Sequence, residues 1–175
     1  MTDRTLLLLR HAKSSWDDPS LADIDRPLAP RGETAAPLMG AEISRRGWRP
    51  ELALVSPSRR TRETWALVAP CLTEPPTAIF AERLYMTDSA DLMALVREAP
   101  AHVETLLVVG HNPGLEDFAT RLAGDGSAAE ALGRMRTKFP TAALARFQFS
   151  GDWRDLSPGS ARLTHFLRPK DLAGS

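Results

Sequence analysis

At 175 residues the chain has the length of one domain, spanning 1–175, and such a unit hides about 68–70% of its unfolded surface, enough for a core with a crevice. Apolar residues at 43% and charged residues at 25% exclude disordered and fibrous classes, while 22 basic against 22 acidic side chains lack the surplus of a dedicated nucleic-acid binder. The single cysteine, Cys71, cannot form an internal disulfide, and the apolar run Leu6–Leu9 is too short for a signal peptide or a membrane span. A cytoplasmic protein with no nucleic-acid or membrane partner is expected.

Thr5–Leu9 reads as a buried strand. A long polar loop follows from Arg10 to Pro30, rich in Asp, Ser and Pro. A helix is expected from Gly32 to about Arg46, with Ala36, Met39 and Ile43 on one face and Gly47 as its stop; Pro37 sits awkwardly near its start. Leu52–Val55 reads as the second strand, closed by Ser56-Pro57, and Arg59–Val68 as a helix with Trp65, Val68 and Leu72 at helical spacing. Ala78–Ala81 is expected as a third strand and Ser89–Glu98 as a helix that turns Leu92, Leu95 and Val96 inward. Leu106–Val109 is another apolar run, closed by Gly110. Leu115, Phe118, Ala119 and Leu122 then recur at i, i+3, i+4 and i+7, an amphipathic helix. After a glycine-containing stretch, Ala142–Phe149 and Ala161–Leu167 are expected to pair as a hairpin with no helix between them. Strands alternating with helices imply an α/β three-layer sandwich, with a mostly parallel sheet, helices on both faces and an antiparallel edge strand.

In such sheets ligands bind beyond the carboxyl ends of the strands. Arg10 and His11 follow the first apolar run, Ser56 to Arg60 follow the second, and Gly110, His111 and Asn112 follow the fourth. Two of the four histidines and an arginine pair therefore occupy strand ends. Arginine offers planar forks that suit phosphate oxygens, and histidine carries a phosphoryl group or its proton near neutral pH. Together they suit a phosphoryl dianion and its dispersed transition-state charge. The residues alone point to phosphoryl transfer through a histidine.

Three segments carry a family resemblance. Leu7-Leu8-Leu9-Arg10-His11-Ala12 resembles the Arg-His-Gly signature of the histidine phosphatase (phosphoglycerate mutase-like) superfamily, with Ala12 where most members have Gly. Ser56-Pro57-Ser58-Arg59-Arg60-Thr61-Arg62-Glu63-Thr64 resembles its second arginine segment, and Val108-Val109-Gly110-His111-Asn112 the segment of its second histidine. The loop through Lys13, Trp16, Asp25-Arg26-Pro27-Leu28 and Arg31-Gly32 is most similar to the short SixA-type phosphohistidine phosphatase branch. The resemblance implies that His11 attacks phosphorus and becomes phosphohistidine, that Arg10, Arg60 and His111 hold the phosphoryl oxygens, and that water then releases phosphate with no metal or other cofactor. Thr64 spacing favours Arg60 over Arg59 as the pocket arginine. The implied partner is a phosphorylated protein or a small phosphorylated metabolite.

The proton donor is read as Glu82, which follows the third expected strand on the same sheet edge; Asp88 is a rival, and Asn112 cannot serve as an acid. Two other readings stay open: a module that binds phosphate without turnover, and a phosphoglycerate-type mutase, for which the chain has little spare length. Asp23-Ile24-Asp25 does not follow a strand as a haloacid-dehalogenase motif would. Cys71 lacks the arginine a cysteine phosphatase needs, since Thr77 stands there. His102 and His165 are isolated. Arg134, Arg136 and Lys138 form a basic cluster, either a solvated face or a dock for an acidic or phosphorylated partner.

Overall fold

Leu6, Leu7, Leu8 and Leu9 are all fully buried, because the strand they form runs through the middle of a sheet covered on both faces. The computed structural model describes residues 2–172. Its strands are β1 (Asp3–Arg10), β2 (Leu52–Val55), β3 (Thr77–Phe80), β4 (Thr105–Gly110), β5 (Leu144–Ser150) and β6 (Arg162–Leu167). They join in the order β3-β2-β4-β1-β5-β6. The first four are mutually parallel, β5 runs antiparallel to β1, and β6 turns back against β5 as the expected hairpin.

Side chains alternate across a strand, so β1 feeds two cores. Leu6 and Leu8 pack in one core with residues of α3 (Ser89–Arg97), α4 (Gly114–Leu122) and α5 (Ala129–Thr137). Leu7 and Leu9 pack in the other with residues of α1 (Pro30–Arg45) and α2 (Arg59–Val68). The expected inward faces hold: Ala36, Met39 and Ile43 of α1, and Leu115, Phe118, Ala119 and Leu122 of α4, are buried.

Several strand ends differ from expectation by one or two residues, and two helices differ as well. Helix α1 starts at Pro30 rather than Gly32 and carries Pro37 inside it; a proline in the first turn lacks only an N–H that has no helical partner there. Helix α5 was not expected at all. Its buried stripe is only Ala131 and Met135, with Gly133 between them, so the helical period is barely written in the sequence.

Candidate active site

Register alone brings the two histidines together. Arg10 of β1 pairs with Gly110 of β4, so His11 and His111 are the next residues of adjacent strands. Their ring centroids lie 5.4 Å apart. Strand β2 flanks β4 on its other side, with Val55 level with Val109, and so delivers Ser56 beside His111. The His111 Nε2 lies 2.7 Å from Ser56 Oγ. Helix α2 then starts at this edge, capped by Ser58, whose oxygen accepts from the Thr61 N–H. The first turn of α2 turns Arg60 inward.

His11 is 7% exposed, and its Nδ1 lies 2.7 Å from the Ala12 carbonyl oxygen. A carbonyl only accepts, so Nδ1 carries the hydrogen and Nε2 keeps a lone pair. Burial is the main cause that pushes the His11 pKa down to about 3, with the charges of His111, Arg10 and Arg60 acting in the same direction against the Ala12 hydrogen bond. Burial likewise lowers His111 to about 4, helped by Arg60 and Arg10 and opposed by Asp23. Both rings are therefore neutral at pH 7. Arg10 is half-buried; its Nη1 donates to the Phe139 carbonyl at 3.0 Å, and Asn112 Nδ2 donates to the same oxygen at 3.0 Å. Arg10 Nε and His111 Nδ1 are buried with no hydrogen-bond partner among the described residues. Orphaned groups of this kind are costly unless a ligand satisfies them.

The pair Arg59-Arg60 separates cleanly. Arg59 is exposed and pairs with Glu63 along α2 at 3.0 Å. Arg60 is 7% exposed and donates from Nη1 to the Asp23 carbonyl and from Nη2 to its carboxylate, at 2.7 and 3.1 Å. Asp23 was absent from the sequence-based site. Its carboxylate also accepts from Tyr85 Oη at 2.6 Å and from Arg26 at 3.1 Å. The Tyr85 hydroxyl, followed by Arg60 and Arg26, holds the Asp23 carboxyl down at about 2. Tyr85 packs edge-on against His111, with centroids 5.6 Å apart. No motif marked Asp23, Tyr85 or Ser56 as partners of the histidines; only the position of Ser56 at a strand end hinted at it.

Glu82 opens a short 3-10 turn, Glu82–Leu84, directly after β3. It is exposed, and among the described residues it shows no hydrogen bond or ion pair to the histidines. Asp88 has a structural task, accepting from the Asp91 N–H as the cap of α3. His102 is exposed, and His165 packs edge-on against Trp48, outside the pocket. Among the described residues no three His, Cys, Asp or Glu side chains gather as a metal site.

Comparison with known proteins decides the family. The model of the histidine phosphatase superfamily (branch 1) matches residues 6–84. The uncharacterized protein Rv1276c of Mycobacterium tuberculosis is 37% identical over 163 residues, covering 93% of this chain and 100% of that protein. The chain belongs to the histidine phosphatase superfamily. The fold agrees along nearly the whole length: the proposed phosphohistidine phosphatase SixA of Nakamurella multipartitia superposes with a TM-score of 0.83 at 29% identity, covering 97% of this chain and 98% of that one. The protein histidine phosphatase SixA complexed with tungstate gives a TM-score of 0.73 at 26% identity, covering 95% and 98%. Against the family signature, Ala12 is fully buried in the α1–α2 core, and its N–H donates to Thr64 Oγ1 at 3.0 Å. Thr64 thus ties the His11 loop to the helix that carries Arg60.

Proposed function

We propose that the protein is a phosphatase that moves a phosphoryl group to His11 and then to water, acting on phosphohistidine of a protein or on small phosphoesters. The observation that carries this is the His11 tautomer: Nδ1–H is spent on the Ala12 carbonyl and the ring is neutral, so Nε2 offers a lone pair beside two guanidinium groups. Phosphoryl transfer needs little from a protein beyond positioning and charge stabilisation, and both are supplied by chain residues. The likeness to a protein histidine phosphatase structure complexed with tungstate, a tetrahedral oxyanion, supports an oxyanion-binding reading.

In the first step Nε2 forms a bond to phosphorus while the substrate P–N or P–O bond breaks. Arg10 and Arg60 balance the spread negative charge. His111 donates from Nδ1–H, with the Ser56 hydroxyl donating to its Nε2 and holding the ring in that tautomer. The leaving nitrogen or oxygen takes a proton, from Glu82 in the case of an alkoxide. Water then attacks phosphorus, inorganic phosphate leaves, and His11 returns to its starting state. No step calls on a metal or an organic cofactor.

Turnover on phosphohistidine protein, p-nitrophenyl phosphate and phosphoglycerates, all with EDTA present, tests the reading. Release of inorganic phosphate that His11→Ala abolishes supports it. Phosphate binding without turnover selects the binding module, and phosphoryl exchange between glycerate positions selects the mutase.

A further inference from the structure

A cavity beside the proposed catalytic pocket is lined with positive charge. Its volume is about 830 Å³, between the start of α1, the end of α5, the segment 140–141 and the turn at 168–170. Six cationic side chains line it, namely Lys13, Arg31, Arg134, Lys138, Arg168 and Lys170, and no carboxylate does. Arg134 and Arg168 are matched by Glu130 and Asp171. The other four make no ion pair among the described residues, and all four are exposed. Ala35 and Leu38 give the cavity an apolar floor. Helix α5, which the sequence barely signals, carries Arg134 in its last turn, and Lys138 follows as its C-cap in extended backbone.

The groove is joined to the pocket through shared backbone. Lys13 stands two residues after His11, so their Cα atoms are at most about 7 Å apart. Phe139, whose carbonyl accepts from Arg10 and Asn112, lies between two groove residues, Lys138 and Pro140. Two exposed apolar side chains connect to the pocket from elsewhere: Trp16 is 72% exposed and stacks on Arg26, which pairs with Asp23, and Met86, next in the chain to Tyr85, is 86% exposed. Isolated exposed apolar groups are ordinary, but two that neighbour pocket residues, on a protein that also carries a cationic groove, suit a macromolecular surface better than a small metabolite.

We propose that this groove binds carboxylates of a protein substrate, at positions about two to four residues from its phosphorylated side chain. The inference rests on the phosphatase reading above and specifies its substrate as an acidic phosphoprotein. Four unmatched cations over an open groove give charge complementarity to several carboxylates spread along an extended segment, whose residues advance about 3.4 Å each.

The test uses the whole protein and two peptides carrying a hydrolysis-resistant phosphohistidine isostere, one flanked by glutamates and one by glutamines. Affinity is measured by fluorescence anisotropy for the wild type and for the triple variant Arg31→Gln, Lys138→Gln, Lys170→Gln, with p-nitrophenyl phosphate turnover as the control. The glutamate peptide should bind on the order of tenfold tighter, an advantage that disappears in the triple variant and shrinks between about 0.05 and about 0.5 M salt. Turnover of p-nitrophenyl phosphate should stay within about twofold, because none of the three residues belongs to the pocket. Each single variant, should the triple one fold poorly, should lose about twofold to fivefold of the preference. Equal affinity for both peptides, or a preference that survives the substitutions, overturns the inference. So does tighter binding of inorganic triphosphate than of the glutamate peptide, which would assign the groove to a small polyanion. Failure of the inference alone leaves p-nitrophenyl phosphate turnover intact, whereas failure of the phosphatase reading abolishes it in the wild type as well.

Discussion

Lowering the pH from 7 to 5 should destabilise the fold through the two pocket histidines. Their folded pKa values, about 3 for His11 and about 4 for His111, lie far below the 6.5 of an unfolded chain. In that window the unfolded state binds a proton on each ring and the folded state does not. Stability is therefore full above pH 6.5, falls as the pH drops through it, and levels off only below the folded values. At pH 5 an imidazole of pKa 6.5 is almost wholly protonated, which costs about 2 kcal/mol per histidine relative to pH 7. Any folded value of about 4 or lower leads to nearly the same figure. Asp23, held at about 2, contributes in the opposite range, since its stabilisation is lost only as the pH falls below the ordinary carboxylate values. Urea unfolding of the wild type and of His11→Gln isolates one ring from all other titrating groups. The wild type should lose about 2 kcal/mol more than the variant between pH 7 and pH 5, and the His11 ring signals in NMR should stay those of a neutral imidazole at pH 5. A His11 ring that titrates near 6.5 in the folded protein would refute the reasoning, because its Nε2 would then be partly protonated when phosphate arrives.

Four further outcomes follow from the same geometry. An Ala Cβ at Gly32 would sit 2.2 Å from the Lys13 carbonyl oxygen and 2.8 Å from its nitrogen; Gly32→Ala should shift the His11 loop and lower kcat/KM on the order of a hundredfold, and an unchanged kcat/KM would show that the loop tolerates the displacement. Arg60→Ala should cost about tenfold to a hundredfold in kcat/KM, as expected for one charge-assisted contact of about 1.5–3 kcal/mol; Asp23→Asn, which removes the carboxylate that now occupies Arg60, should instead tighten inhibition by inorganic phosphate severalfold, and weaker inhibition would make Asp23 a support rather than a competitor. Glu82→Gln should cut hydrolysis of alkyl phosphoesters by about 10²–10⁴-fold while largely sparing phosphohistidine, whose imidazole leaves with less help; equal, small losses on both substrates would remove Glu82 from the mechanism.

How far the sequence reaches is clear at particular residues. Strand β2 and helix α2 lie where the apolar runs place them, because Ser56-Pro57 and the Ser58 cap punctuate the chain unambiguously. The meeting of His11 and His111 was legible because parallel strands deliver the residues after them to one edge, whatever the loops do. Which of Arg59 and Arg60 turns inward follows from the helical phase of α2, which buries Arg60, Thr61 and Thr64 together. Asp23 was not legible. It reaches Arg60 across 37 residues and Tyr85 across 62, from a loop with no periodicity to read. The basic groove was half visible, since Arg134 and Lys138 stood out as a cluster, but α1 and the turn at 168–170 supply its other wall only in three dimensions.

The central claim is that His11 carries the phosphoryl group, and rapid quenching of the protein during turnover of a labelled phosphodonor tests it directly. The label should be acid-labile and base-stable, map to His11 at Nε2, and vanish in His11→Ala while His111→Ala still forms it at a reduced rate. Label on a serine, an aspartate, Cys71 or His111, or turnover that persists in His11→Ala, would contradict the account.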